Sequence, residues 1–163
     1  MNELVFKQFE KTRGYFIKKI ESVSKDVASI QPDGFNNTIH WHIGHVLTVC
    51  EQFMFGFPRK TIHIPANYIE LFGNGTKPAD WKGDIPETDE LIIQLKDQLG
   101  RIQKIPDEQL NERLAKPFLG LETFGELAEF ALFHEANHLG HIQAMERVIH
   151  HTGVKKLKKE RSF

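Results

Sequence analysis

A chain of 163 residues, 40% hydrophobic and 26% charged, carries enough apolar material for one core of ordinary size and too little for two. A formal net charge of −1 and a single cysteine, Cys50, speak against disorder, a globally electrostatic partner and a disulfide-built secreted fold. No run approaches the roughly 18 apolar residues of a spanning helix, and Glu3, Lys7, Glu10 and Lys11 interrupt what would be an export signal, so a cytoplasmic protein with no membrane segment is expected.

Val5, Phe9, Phe16, Ile20, Val23 and Val27 recur at helical intervals and place one stripe on a first helix over about 2–30, ending before Pro32-Asp33-Gly34. Asn36 or Asn37 then suits the N-cap of a second helix, 37–56, with Ile39, Ile43, Val46, Cys50 and Phe53 on its apolar face and Gly56 and Pro58 ending it. From 57 to 85 the periodicity fails and glycines and prolines accumulate, which predicts a long crossover whose Tyr68, Phe72 and Trp81 either cover a pocket or plug the loop onto the helices. A third helix is expected over 88–104, with Leu91, Leu95, Leu99 and Ile102 on one face and Pro106 as its stop. After a connector, Thr123 with Glu126 forms a capping box opening a fourth helix, 123–151, with Gly153 as its terminator.

Four amphipathic helices without period-two strand runs predict an all-α protein, a four-helix bundle with a long crossover connection. The basic run 155–161 reads as a solvated end, so neither nucleic acid nor an anionic membrane is the expected partner.

Six of nine histidines fall in two tight groups, His40/His42/His45 and His134/His138/His141. His134 and His138 are four residues apart, so their rings sit one turn apart on one helical face, and Leu127, Ala131, Ile142 and Met145 direct that face inward. Such a pair suits either a metal ion or a hydrogen-bonded core, and the residues alone leave both open. A third ligand would come from the second helix, where His42 and His45 are both candidates and Gly44 would admit a close backbone neighbour. His40, His63, His150 and His151 read as surface or helix-end residues, Glu51 and Glu135 as solvated or interhelical carboxylates, and Cys50 as apolar packing.

Asn37-Thr38-Ile39-His40-Trp41-His42-Ile43-Gly44-His45, together with Phe133-His134-Glu135-Ala136-Asn137-His138-Leu139-Gly140-His141-Ile142, resembles the DinB-like (DinB/YfiT-like) superfamily over essentially the whole chain. The resemblance implies a four-helix bundle, His45, His134 and His138 as ligands of a divalent metal ion (zinc or nickel), and a homodimer. Where the family typically has glutamine after the glycine, this chain has His141, which reads as an added ligand, an orienting group or a catalytic proton carrier.

Three imidazoles leave a coordination position open for a small-molecule substrate or water. Characterised relatives imply a metal-dependent thiol S-transferase with a low-molecular-weight thiol cosubstrate of the bacillithiol or mycothiol type, or else a metal-dependent hydrolase. The long loop and the start of the first helix would shape the electrophile pocket. The alternative is a non-catalytic, metal-stabilised helical dimer acting as a binding or stress-response module.

Overall fold

A computed structural model of the chain describes residues 3–57 and 60–160, without the side chains of 3 and 154–160. Its helices are α1 (Glu3–Glu21), α2 (Lys25–Ser29), α3 (Ile39–Glu51), α4 (Tyr68–Phe72), α5 (Thr88–Ile102) and α6 (Phe124–Glu160). A hairpin of β1 (Arg113–Phe118) and β2 (Leu121–Thr123) precedes α6.

The four long helices form a ring in which α1 packs on α5 and α6, and α3 packs on the same two. Contacts give the directions. His45 meets His134 and His42 meets His138, so α3 and α6 are antiparallel. His40 reaches Pro86 while Glu51 reaches Arg101, so α3 and α5 run parallel. Arg13 meets Glu135 and Lys19 meets Glu146, so α1 and α6 are parallel as well. Parallel neighbours cannot be joined by a tight turn, because the chain must return the length of the bundle. That requirement explains the long crossover between α3 and α5, which α4 and a 3₁₀ turn at Pro78–Asp80 partly structure.

Several boundaries depart from the periodicity. The first helix stops at Glu21, and Ser24 caps α2 by accepting from the Val27 amide, although Val23 and Val27 still pack against the core. Thr38, not Asn36 or Asn37, caps α3, its hydroxyl accepting from the Trp41 amide at 3.1 Å. Beyond Glu51 that helix widens into a π turn, Gln52–Gly56.

The connector expected to lack strands holds the hairpin. Leu119 and Gly120 turn it with φ of 51° and 82°, the paired positive values that match strand twist, but β1 is too exposed to show an alternating pattern. Thr123 and Glu126 do form a capping box, the carboxylate accepting from the Thr123 amide at 2.8 Å and the hydroxyl from the Glu126 amide at 3.2 Å.

Gly153 does not end α6, which passes through it with no left-handed residue and continues to Glu160. A glycine inside a helix costs only about 1 kcal/mol against alanine, too little to stop a long helix. The side chains of the basic run 155–161 lie outside the described residues.

The core has two apolar clusters, one built around Phe16, Ile43, Leu47, Phe72 and Leu95, the other around Phe9, Phe53, Ile102, Phe124 and Leu127. A buried polar layer lies between them. Arg13 falls between Phe9 and Phe16 on α1, Gln98 between Leu95 and Ile102 on α5, and Glu135 between Ala131 and Ile142 on α6. The Arg13 guanidinium makes a two-pronged ion pair with Glu135 at 2.7 and 2.8 Å and also donates to Leu95 O at 2.9 Å and Gln98 Oε1 at 3.0 Å. Gln98 passes the network on, donating to Glu51 Oε2 at 2.7 Å, and Arg101 closes it on Glu51 at 2.6 and 3.0 Å. Glu51 and Glu135 are thus interhelical carboxylates, fully buried and satisfied.

Candidate metal centre

The antiparallel seam of α3 and α6 carries the histidines. His45 and His138 are buried and His134 half-buried. The Nε2 atoms of His45 and His138 each lie 3.1 Å from Nε2 of His134, and all three residues offer a ligand nitrogen within 4.8 Å of the others. With Zn–N bonds of about 2.05 Å, the nitrogens of a tetrahedral site stand about 3.3 Å apart. Both separations from His134 are therefore close to the spacing an ion requires.

The protonation of the rings points the same way. His45 Nδ1 lies 2.6 Å from the carbonyl oxygen of Phe72. A carbonyl only accepts, so Nδ1 carries the hydrogen and Nε2 presents its lone pair to the trio. His138 Nδ1 lies 2.7 Å from His42 Nδ1, a hydrogen bond that leaves His138 Nε2 free when the proton sits on His138. Lone pairs converging at 3.1 Å repel unless a proton or a cation lies between them. A neutral-nitrogen donor set of this kind fits a divalent ion such as zinc or nickel.

Burial, reinforced by neighbouring imidazoles, pushes His138 down to about 2 and His42 to about 3, and it lowers His134 to about 4. Burial also lowers His45, against the opposing pull of its bond to Phe72. All four rings are therefore neutral at neutral pH, the state that coordinates.

The crossover sets the position of His45. A Cβ at Gly44 would overlap the ring of Phe72, so glycine lets α4 lie against α3. Trp41 stacks on His45 with ring centroids 4.3 Å apart and donates through Nε1 to Thr76 at 2.9 Å. Tyr68 and Phe72 are buried in the core, and Trp81 donates to Leu71 O at 2.7 Å, so these aromatics plug the crossover onto the bundle. His40 is half-buried rather than a surface residue, bonding Pro86 O at 2.8 Å and packing edge-on to Trp81.

A pocket of about 560 Å³ opens over the trio, walled by Phe35, Asn36, Asn37, Trp41, Asn74 and His141. The long crossover contributes Asn74, but no described residue of α1 lines the pocket, because α1 packs on the opposite side of the ring from α3. His141 is exposed at the rim and outside the trio; it groups instead with His42 and His138, each offering a nitrogen within 4.8 Å. His63, His150 and His151 are exposed, the last two inside α6 and not at its end.

Cys50 is fully buried, and burial pushes its thiol up to about 12, which makes it unreactive. Sequence reasoning missed the Phe72 carbonyl, which no side-chain pattern could signal, and the amides of Asn37 and Asn74. It also missed the polar layer, although Arg13 stands in register with Phe9 and Phe16 on the buried stripe, a signal visible in the sequence.

Fold and seam together define a four-helix bundle whose inward histidines could hold a metal ion. The DinB superfamily model matches residues 8–142, and the chain belongs to that superfamily. A crystal structure described as a conserved protein from Enterococcus faecalis shares the fold, with a TM-score of 0.64 and 14% identity over 91% of this chain and 96% of that one. No curated protein matches the chain. No helix among the described residues is long and apolar enough to cross a membrane.

Proposed function

We propose that this protein is a metal-dependent enzyme that activates a low-molecular-weight thiol of the bacillithiol type and joins it through its sulfur to a small electrophile. The observation that carries the reading is the approach of the His45 and His138 Nε2 atoms to within 3.1 Å of His134 Nε2, beneath an open pocket. A divalent ion bound there would supply Lewis acidity, lowering the pKa of a thiol or water beside it.

The chain's own groups supply the rest. His45, His134 and His138 would hold the ion, and the Phe72 carbonyl and His42 fix two of those rings. The thiol must come from outside, because Cys50 is sealed in the core and raised to about 12. Asn36, Asn37 and Asn74 offer amides to the body of a polar cosubstrate, and Asn37 Oδ1 is a buried acceptor without a partner among the described residues. In the transfer, the S–C bond forms as the bond to the leaving group breaks. The leaving group departs with that electron pair, and the thiol proton goes to solvent through the open side.

Hydrolysis by an activated water is the next reading and uses the same groups. The test is titration and turnover of zinc- or nickel-loaded protein with bacillithiol and a chromogenic electrophile. Metal-dependent loss of thiol is the expected result. Absence of both binding and turnover overturns the thiol reading, and metal-dependent cleavage of an ester or amide probe in its place selects the hydrolase.

A further inference from the structure

We infer that the same seam holds a second divalent cation on His42, His138 and His141, with His138 bridging the two ions through its two ring nitrogens. The inference rests on the reading above for one shared ligand, His138, and goes beyond it in assigning His42 and His141.

Among the described residues, two distinct histidine triplets meet the geometric requirement for a metal site, and His138 belongs to both. Its Nε2 faces His134 at 3.1 Å and its Nδ1 faces His42 Nδ1 at 2.7 Å, so opposite edges of one ring look into two different clusters. His141 approaches from the rim, with ring centroids 5.6 Å from His42 and 5.8 Å from His138. One turn of α6 supplies both His138 and His141, and one turn of α3 supplies both His42 and His45, so each ion would be clamped between the same two helices. The second site is the wetter one. Its third ligand is exposed, and water from the pocket can complete the coordination.

The 2.7 Å separation is that of a hydrogen bond, shorter than the roughly 3.3 Å edge of a tetrahedral zinc site. Filling the site therefore replaces the shared proton: it leaves to solvent as the ion arrives, and the two rings part by about 0.6 Å. His141 is free to complete the set because it is exposed. With that proton gone the bridging His138 ring is an imidazolate while the other four rings stay neutral, an all-nitrogen donor set that suits zinc or nickel in both positions.

The experiment is zinc titration of the full chain by calorimetry, with elemental analysis after desalting. It compares wild type with His45→Ala, His42→Ala, His141→Ala and His141→Gln, the fold of each checked by circular dichroism. The His141 variants change only an exposed side chain and keep the proposal falsifiable if His42→Ala misfolds. Two zinc ions per wild-type chain, falling to one in both His141 variants, is the expected result. One ion per chain, lost in His45→Ala and kept in the His141 variants, overturns the second site and leaves the first reading standing. One ion lost in the His141 variants but kept in His45→Ala overturns both the bridged pair and the His45 centre. No ion in wild type ends both readings.

Discussion

Phe72 O accepts a hydrogen bond from His45 Nδ1 at 2.6 Å, although the two residues lie on different helices 27 positions apart. The bond fixes the tautomer and orientation of a ring that faces the candidate metal centre, and Gly44 permits it by letting α4 rest on α3. Partners of this kind raise metal affinity by 10- to 100-fold.

Gly44→Ala should therefore damage the site without touching a ligand. The added methyl must displace the Phe72 ring, costing about 1–3 kcal/mol of stability. Zinc affinity should fall by about 10- to 100-fold as the Phe72 carbonyl withdraws. Denaturant unfolding and a competition titration check the two parts; unchanged affinity would show that the crossover does not position His45.

Single replacement of His45, His134 or His138 by alanine should each weaken zinc binding by about 100-fold or more, since the binding energy is shared among few ligands. Thermal unfolding with and without zinc reads this directly: the stabilisation that zinc confers on wild type should shrink in each variant.

The metal-free protein should lose stability in mild acid. His138, His42 and His134, lowered by burial to about 2, 3 and 4, stay neutral in the folded chain, whereas unfolded histidine titrates near 6.5. Below about 6.5 the unfolded state binds more protons, so stability rises with pH there. The contribution of these groups is complete above about 6.5 and is lost progressively as pH falls toward 4. Urea midpoints between pH 4.5 and 8 test the sign, and a flat profile in His42→Ala/His134→Ala/His138→Ala would identify the residues.

Arg13→Met should be among the most damaging substitutions far from the pocket. It strands the buried carboxylate of Glu135, a loss of about 3–5 kcal/mol. Arg13→Met/Glu135→Leu should recover most of that, because the charge pair is then replaced by apolar contact. A double-mutant cycle measures it, and additive losses would contradict the buried pairing.

Cys50→Ala should retain any thiol-transfer activity in full, with only a modest cost in stability from lost packing. A fall in turnover at unchanged stability would place the reacting thiol on the chain.

Helical periodicity, the capping box at Thr123 and Glu126 and the four-residue spacing of His134 and His138 were legible because they depend on neighbours along one helix. The break after Glu21, the hairpin with its Leu119-Gly120 turn and the run of α6 through Gly153 were not, since weak local preferences yield there to capping, pairing and packing. The amino-acid sequence by itself determined the helical class and the residues able to chelate, because spacing on a helix fixes which side chains share a face. Which histidine of α3 meets His134, the Phe72 carbonyl that orients it, and the placing of Arg13 against Glu135 were decided only when distant helices packed. Contacts between segments far apart in the chain leave no periodic trace along it.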